Sequence, residues 1–235
     1  MESNKAILVI NDLKKLGTKK RAEASKWYFK TNKGQYGFGD IFWGISVPDQ
    51  RKIAKKYQDL SLPQISLLLK NKVHELRLTG LFILVLQFKK SDDAAKNKIV
   101  KFYLKHKNYI NNWDLVDSSS LYILGEYLLD KNKDVLYKLA KSKNLWHRRI
   151  AIISTFAFIR KNQFKDTLKI SKILLKDNHD LIHKAVGWAL REVGKKDMGK
   201  EEEFLQKYAK VMPRTMLRYA IEKFPEPKRK KYLSL

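Results

Sequence analysis

Cysteine is absent from the 235 residues, so disulfides, thiolate zinc sites and cysteine nucleophiles are all excluded. Glycine and proline are scarce, ten and five, and four of the glycines crowd between Gly34 and Gly44. Past that stretch the chain has few turn signals. The longest unbroken apolar run, Leu81–Leu86, is six residues, far short of the roughly 20 a membrane helix requires. The N-terminal residues lack a signal-peptide pattern, because the short apolar stretch Ala6–Ile10 runs at once into Asn11, Asp12 and Lys14. The expectation is a soluble, cytoplasmic protein with no membrane partner, nucleoid-associated in a prokaryote. His179 and His183 stand four apart with no third ligand nearby and no His-Glu-x-x-His motif, so they read as solvated or capping residues. Neither a metal nor a cofactor is expected.

Acidic residues are also in short supply. Fifty Lys and Arg face twenty-four Asp and Glu, a net charge of +26. The basic residues run the whole length, from Lys19-Lys20-Arg21 through Lys55-Lys56 and Arg148-Arg149 to Lys228–Lys231. A disordered basic arm is poor in apolar residues, whereas this chain is 44% hydrophobic and 11% aromatic. The charge therefore coats a folded body, and the partner it names is a polyanion, nucleic acid ahead of an anionic membrane or mere solvent.

The body reads as helix after helix, with no useful strand alternation. Pro48 suits a first helical turn, Ser61-Leu62-Pro63-Gln64 reads as a capping box, and Ser91-Asp92-Asp93, Asn112 and Asn144 each precede an apolar-periodic run. Gly194 and Pro225 read as stops. Long helices are expected to begin near Asn112, Asn144 or Leu145, Asp180 and Pro213, about 33 to 35 residues apart. Second helices are expected over Asp134–Lys141, Phe164–Leu175 and Glu201–Tyr208, with an earlier pair at His74–Lys89 and Asp92–Lys105. Two helices per period signal an all-α fold, an α-solenoid of HEAT-like antiparallel helix pairs forming a superhelix with a basic concave face. Residues 1–235 are expected to form one such domain, with helices and a Gly-rich loop over 1–60 and the repeated pairs over 61–235. Counted from the helix starts, Trp113, Asp117, Arg149 and Trp188 fall at offsets 1, 5, 4 and 8, within one sector of about 100°.

Trp113 and Asp117 are i and i+4 neighbours on one helix face. Asp114 lies in the first turn, where the helix dipole alone accounts for a carboxylate. Asp117 lies beyond it, and is either a chemical group or half of a surface salt bridge. Trp146 and Ile150 share a face and read as core; Arg148 and Arg149 point about 100° apart and are either ligand-facing or solvated. Gly187 inside a helix costs about 1 kcal/mol against alanine, which implies another backbone close by. Trp188 is either core or part of a site.

Together these segments resemble the AlkD family of DNA glycosylases, which are built from HEAT-like repeats and excise alkylated purines. The matching pieces are Trp113-Asp114-x-Val116-Asp117, Trp146-x-x-Arg149 and Lys184-Ala185-x-Gly187-Trp188-x-Leu190-Arg191-Glu192, in the family's order. Trp27-Tyr28-Phe29-Lys30 is similar to the family's tyrosine-bearing helix, so the resemblance spans roughly residues 20 to 225. It implies that Asp117 is the catalytic carboxylate and Arg149 its companion. It also implies that Trp113 and Trp188 flank the lesion, that Tyr28 is a further wall, and that Arg148, Lys184 and Arg191 contact DNA. The implied activity is metal-free hydrolysis of the N-glycosidic bond of N3- and N7-alkylpurines in duplex DNA, by a monomer. The competing readings are a non-catalytic helical-repeat module holding DNA or structured RNA by its phosphates, and a scaffold for an acidic protein. The segment Lys33–Gly44 is longer and richer in glycine than in the narrowest version of the family. It is either a DNA-contacting loop or a connector packed by its aromatics.

Overall fold

The structure is a computed structural model that describes residues 5–235. Among these the secondary structure is helical, and the β pairing is an isolated parallel bridge between Ile41 and Val73. The chain divides into two compact units, one ending at Ser119 and the other beginning at Ser120.

The first unit holds α1 (Lys5–Lys14), α2 (Lys19–Tyr28), α3 (Val47–Lys56), α4 (Leu62–Leu69), α5 (His74–Lys90), α6 (Asp93–Lys105) and α7 (Trp113–Asp117). Side-chain caps set several starts: Thr18 accepts from Arg21 N, Ser46 from Asp49 N with Pro48 in the first turn, and Asp92 from Ala95 N. Ser61 does precede α4, but its side chain makes no capping bond, so the expected capping box does not form there. The packing of α4 against α5 and α1 carries that helix instead. The centre of the unit is α5, which touches α3, α4, α6 and α7. It is buried around most of its circumference, Leu76 to Leu84 without interruption, as its all-round apolar sequence predicts.

The second unit opens with a π-helical turn, Leu121–Gly125, and continues through α8 (Asp134–Ala140), α9 (Leu145–Ser154), α10 (Phe156–Arg160), α11 (Lys165–Ile173), α12 (Asp180–Lys196), α13 (Met198–Tyr208), α14 (Arg214–Ala220) and α15 (Glu226–Leu233). The expected helix starts at Asn112, Leu145, Asp180 and Pro213 match α7, α9, α12 and α14 to within a residue. Of these, α7 is short rather than long, and ends at Asp117. The hub of this unit is α12, packed against α9, α11, α13 and α14. Gly187 makes the contact with α14 possible: a Cβ there would lie 2.4 Å from the Met216 carbonyl oxygen and 2.5 Å from Tyr219 Cβ.

Gly194 does not stop the helix as the sequence suggested; α12 continues to Lys196. The glycine serves packing, since a Cβ would collide with the Glu201 carboxyl of α13. Pro225 does mark a break, between a 3-10 turn at Ile221–Lys223 and α15.

Candidate functional site

The first unit brings two of the candidate residues together. Helix α2 ends at Tyr28, and the next residue, Phe29, lies flat between Phe42 and Trp113, with ring centroids 5.0 and 5.4 Å away and interplanar angles of 15° and 20°. Tyr28 meets Trp113 edge-on at 5.8 Å and stays 55% exposed, while Trp113 is half-buried. Asp117, also half-buried, closes α7 one turn after Trp113. The aromatic pair and the carboxylate are thus presented by one short helix and the end of another.

Five residues are too few for a helix to hold itself, so α7 depends on tertiary anchors. Asn112 caps it, its side-chain oxygen accepting from Trp113 N at 2.8 Å, and its Nδ2 donates to Asp40 at 3.3 Å. Asp114 Oδ2 lies 2.8 Å from His74 Nε2, and His74 Nδ1 lies 3.1 Å from Asp40 Oδ2. Arg77 closes the chain, donating to Asp40 Oδ1 at 2.7 Å and to the carbonyls of Asn71 and Lys72. Burial opposes a charge on His74, but the charge of Asp114 and the hydrogen bonds His74 donates to both carboxylates outweigh it and raise the pKa to about 9. Burial likewise pushes Asp40 up, yet the His74 hydrogen bond and the Arg77 charge hold it below the ordinary carboxylate value. Asp114 is therefore more than a dipole partner. It ties α7 to the first residue of α5, a role the sequence concealed because its partner lies forty residues away.

In the second unit Arg148 and Arg149 are both engaged, not solvated. Arg148 grips Asp177 through Nε at 2.5 Å and Nη2 at 3.2 Å, and its Nη1 donates to the carbonyls of Ser142 and Lys143. Four of its five N–H donors are thereby used. Arg149 is only 5% exposed and donates through Nη1 to the Leu181 carbonyl at 2.6 Å, which joins α9 to the first turn of α12. That helix carries the remaining candidates. Trp188 is half-buried, edge-on to Phe156 at 4.5 Å, with Nε1 donating to Glu192. Lys184 pairs with Asp180 at 2.7 Å, and Arg191 with Glu222. Trp146 and Ile150 are core, as expected.

The two halves of the Gly-rich segment differ in burial. Its second half is a packed connector: Phe42 is buried, and the backbone N–H groups of Trp43, Gly44 and Ile45 all donate to the buried Glu75 carboxylate. Its first half is exposed around Phe38. His179 caps α12 by accepting from Leu181 N, and His183 bonds the Asp177 carbonyl. Among the described residues no cluster of three potential metal ligands exists, and no helix is long and apolar enough to cross a membrane.

Comparison with known proteins agrees with this architecture. The fold resembles that of a predicted DNA alkylation repair enzyme of Enterococcus faecalis, with a TM-score of 0.70 at 17% identity, over 89% of this chain and 97% of the other. It also resembles AlkD2 of Streptococcus mutans, with a TM-score of 0.56 at 18% identity over 86% and 99% of the two chains. A third relative, smu.31 of Streptococcus mutans UA159, gives 0.55 at 19% identity over 77% and 93%. No curated protein matches in sequence. At these identities the solved structures establish the all-helical fold they share with this chain. Residues 9–224 match the DNA alkylation repair enzyme family, so nearly the whole chain is covered and the protein belongs to that family.

Proposed function

We propose that the protein is a DNA glycosylase that hydrolyses the N-glycosidic bond of cationic N3- and N7-alkylpurines in duplex DNA. The observation that carries this reading is the placing of Asp117 one turn from Trp113, on a helix clamped through a buried ion network, with the exposed Tyr28 against the same tryptophan. An N3- or N7-alkylated purine already bears a positive charge. When its bond to C1′ breaks, the electron pair goes to the base, which leaves neutral, and the positive charge passes to the sugar. No acid has to protonate the leaving group and no metal has to polarise it. Asp117 supplies what is missing, a fixed negative charge beside the developing sugar cation and an acceptor that orients the attacking water.

The aromatic faces of Trp113 and Tyr28 suit a cationic nucleotide, since cation–π attraction is worth about 0.5–2 kcal/mol depending on desolvation. Trp188 serves as a second aromatic contact with the DNA. Arg149 steadies the start of α12 and offers its charge to a backbone phosphate. Lys184 and Arg191 are assigned to phosphates as well. Arg148, with most of its donors committed to Asp177 and two carbonyls, positions α9 rather than reaching DNA.

Asp117→Asn tests the assignment. The amide keeps the volume but loses the charge, so release of 7-methylguanine from a duplex is expected to fall by roughly 10²–10³ with DNA affinity unchanged or slightly higher. Undiminished release by the variant would exclude Asp117 as the catalytic carboxylate. No release by the wild type, with duplex binding intact, would favour a non-catalytic DNA-holding module instead.

A further inference from the structure

Two aromatic side chains of the first unit are strongly exposed, Trp27 at 75% and Phe38 at 64%. Trp27 lies under the Lys30 ammonium, 4.8 Å from its ring centroid. Phe38 has a different setting. It stands in a loop that is tied down on both sides, which is unusual for an exposed apolar residue. On one side Gly37 N donates to the Lys30 carbonyl at 3.1 Å, and a Cβ on Gly37 would lie 2.2 Å from the Phe29 carbonyl oxygen, so the loop is pressed onto the end of α2. On the other side Gly39, with φ +91°, turns the chain into Asp40, whose carboxylate is held by His74, Arg77 and Asn112. Within the loop, Phe38 N donates to the Gln35 carbonyl and Asp40 N to the Gly37 carbonyl, each at 3.1 Å. The ordering cost of this loop is met before any ligand arrives.

The two anchors of the loop are the elements that carry the Tyr28–Trp113 pair. Asn112, which donates to Asp40, is the cap of α7, and Phe29, over which Gly37 closes, stacks on Trp113. The segment that leads into the loop is one-sided in charge: residues 19–39 hold six basic side chains against one acidic, Glu23, and the next acid, Asp40, is taken up by His74, Arg77 and Asn112. Such a surface repels a second copy of itself and attracts a phosphate backbone.

We propose that Phe38 is a wedge that inserts between stacked nucleobases of the bound duplex. An apolar side chain on a stiff loop that follows a lysine-rich helix fits the chemistry of a base step, where unstacking a pair of bases exposes an apolar slot between two polyanionic strands. The inference rests on DNA being the partner and is independent of the excision chemistry at Asp117.

Short unmodified duplexes carrying 2-aminopurine at each position in turn provide the test, because the probe brightens when it is unstacked. At saturating protein the wild type is expected to raise the fluorescence several-fold at one or more positions. Phe38→Ala is expected to leave it at the level of the free duplex while weakening binding about tenfold or less. Phe38→Leu, which keeps an apolar wedge, is expected to restore most of the signal. Asp117→Asn is expected to match the wild type, which separates this proposal from the catalytic one. A full rise with Phe38→Ala, or none with the wild type at saturation, would overturn it. Concentration-dependent self-association that Phe38→Ala abolishes, with no change in fluorescence, would make the loop a protein contact and overturn it equally.

Discussion

His74 sits between two carboxylates, 2.8 Å from Asp114 and 3.1 Å from Asp40, and its charge secures α7 to α5. The native state raises its pKa to about 9, against 6.5 in an unfolded chain. A raised pKa stabilises the protonated form, so this contribution is complete below about 6.5 and disappears as the pH climbs through about 9. Asp114→Asn removes the larger of the two partners and leaves a buried imidazolium with one. Breaking such a pair costs about 3–5 kcal/mol. Urea unfolding is expected to show a cost of this order at pH 6.5, shrinking at pH 9.5 where the wild-type histidine is itself neutral. An equal cost at both pH values would mean that the ion pair is not what Asp114 contributes. Part of the candidate site was legible at this scale and part was not. The segment Trp113–Asp117 declares itself by an i, i+4 spacing and a capping asparagine. The Asp40–His74–Asp114 chain does not, because long-range pairing of polar side chains leaves no period in the sequence.

At the scale of elements, capping chemistry made the helix starts readable: Asn112, Asn144 and Asp92 each bond backbone N–H groups of the turn they precede. Helix ends were less readable, as Gly194 shows. Read as a stop, it is a packing glycine within α12 that admits the carboxyl of Glu201 from α13. Glu201 is almost wholly buried, and its Oε1 has no hydrogen-bond partner. Burial, reinforced by neighbouring Glu202 and only partly offset by Arg191, raises its pKa to about 8. Here too the protonated form is the stable one, so stability is complete below the ordinary glutamate value near 4.5 and is lost as the pH rises through about 8. Glu201→Gln keeps the shape and removes the titration. The variant is expected to match the wild type at pH 4.5 and to exceed it at pH 8.5, by on the order of a few kcal/mol. Equal stability at both pH values would contradict a buried, protonated Glu201.

Across the whole molecule, 50 basic residues against 24 acidic ones named the partner class before any motif was read, and the family agrees with that reading. Phosphate neutralisation releases condensed counterions, so affinity depends steeply on salt. Contacts with about six to ten phosphates predict that duplex affinity falls roughly 10³–10⁵-fold between 50 and 200 mM salt. A dissociation constant that hardly moves over that range would remove electrostatics as the basis of binding. The chemistry itself reduces to one comparison, the rate of base release from otherwise identical duplexes that carry 7-methylguanine or uracil. If Asp117 stabilises the sugar cation and nothing protonates the base, the cationic lesion is released readily and uracil is not, because uracil must depart with a negative charge. Release of uracil at a comparable rate would contradict the mechanism.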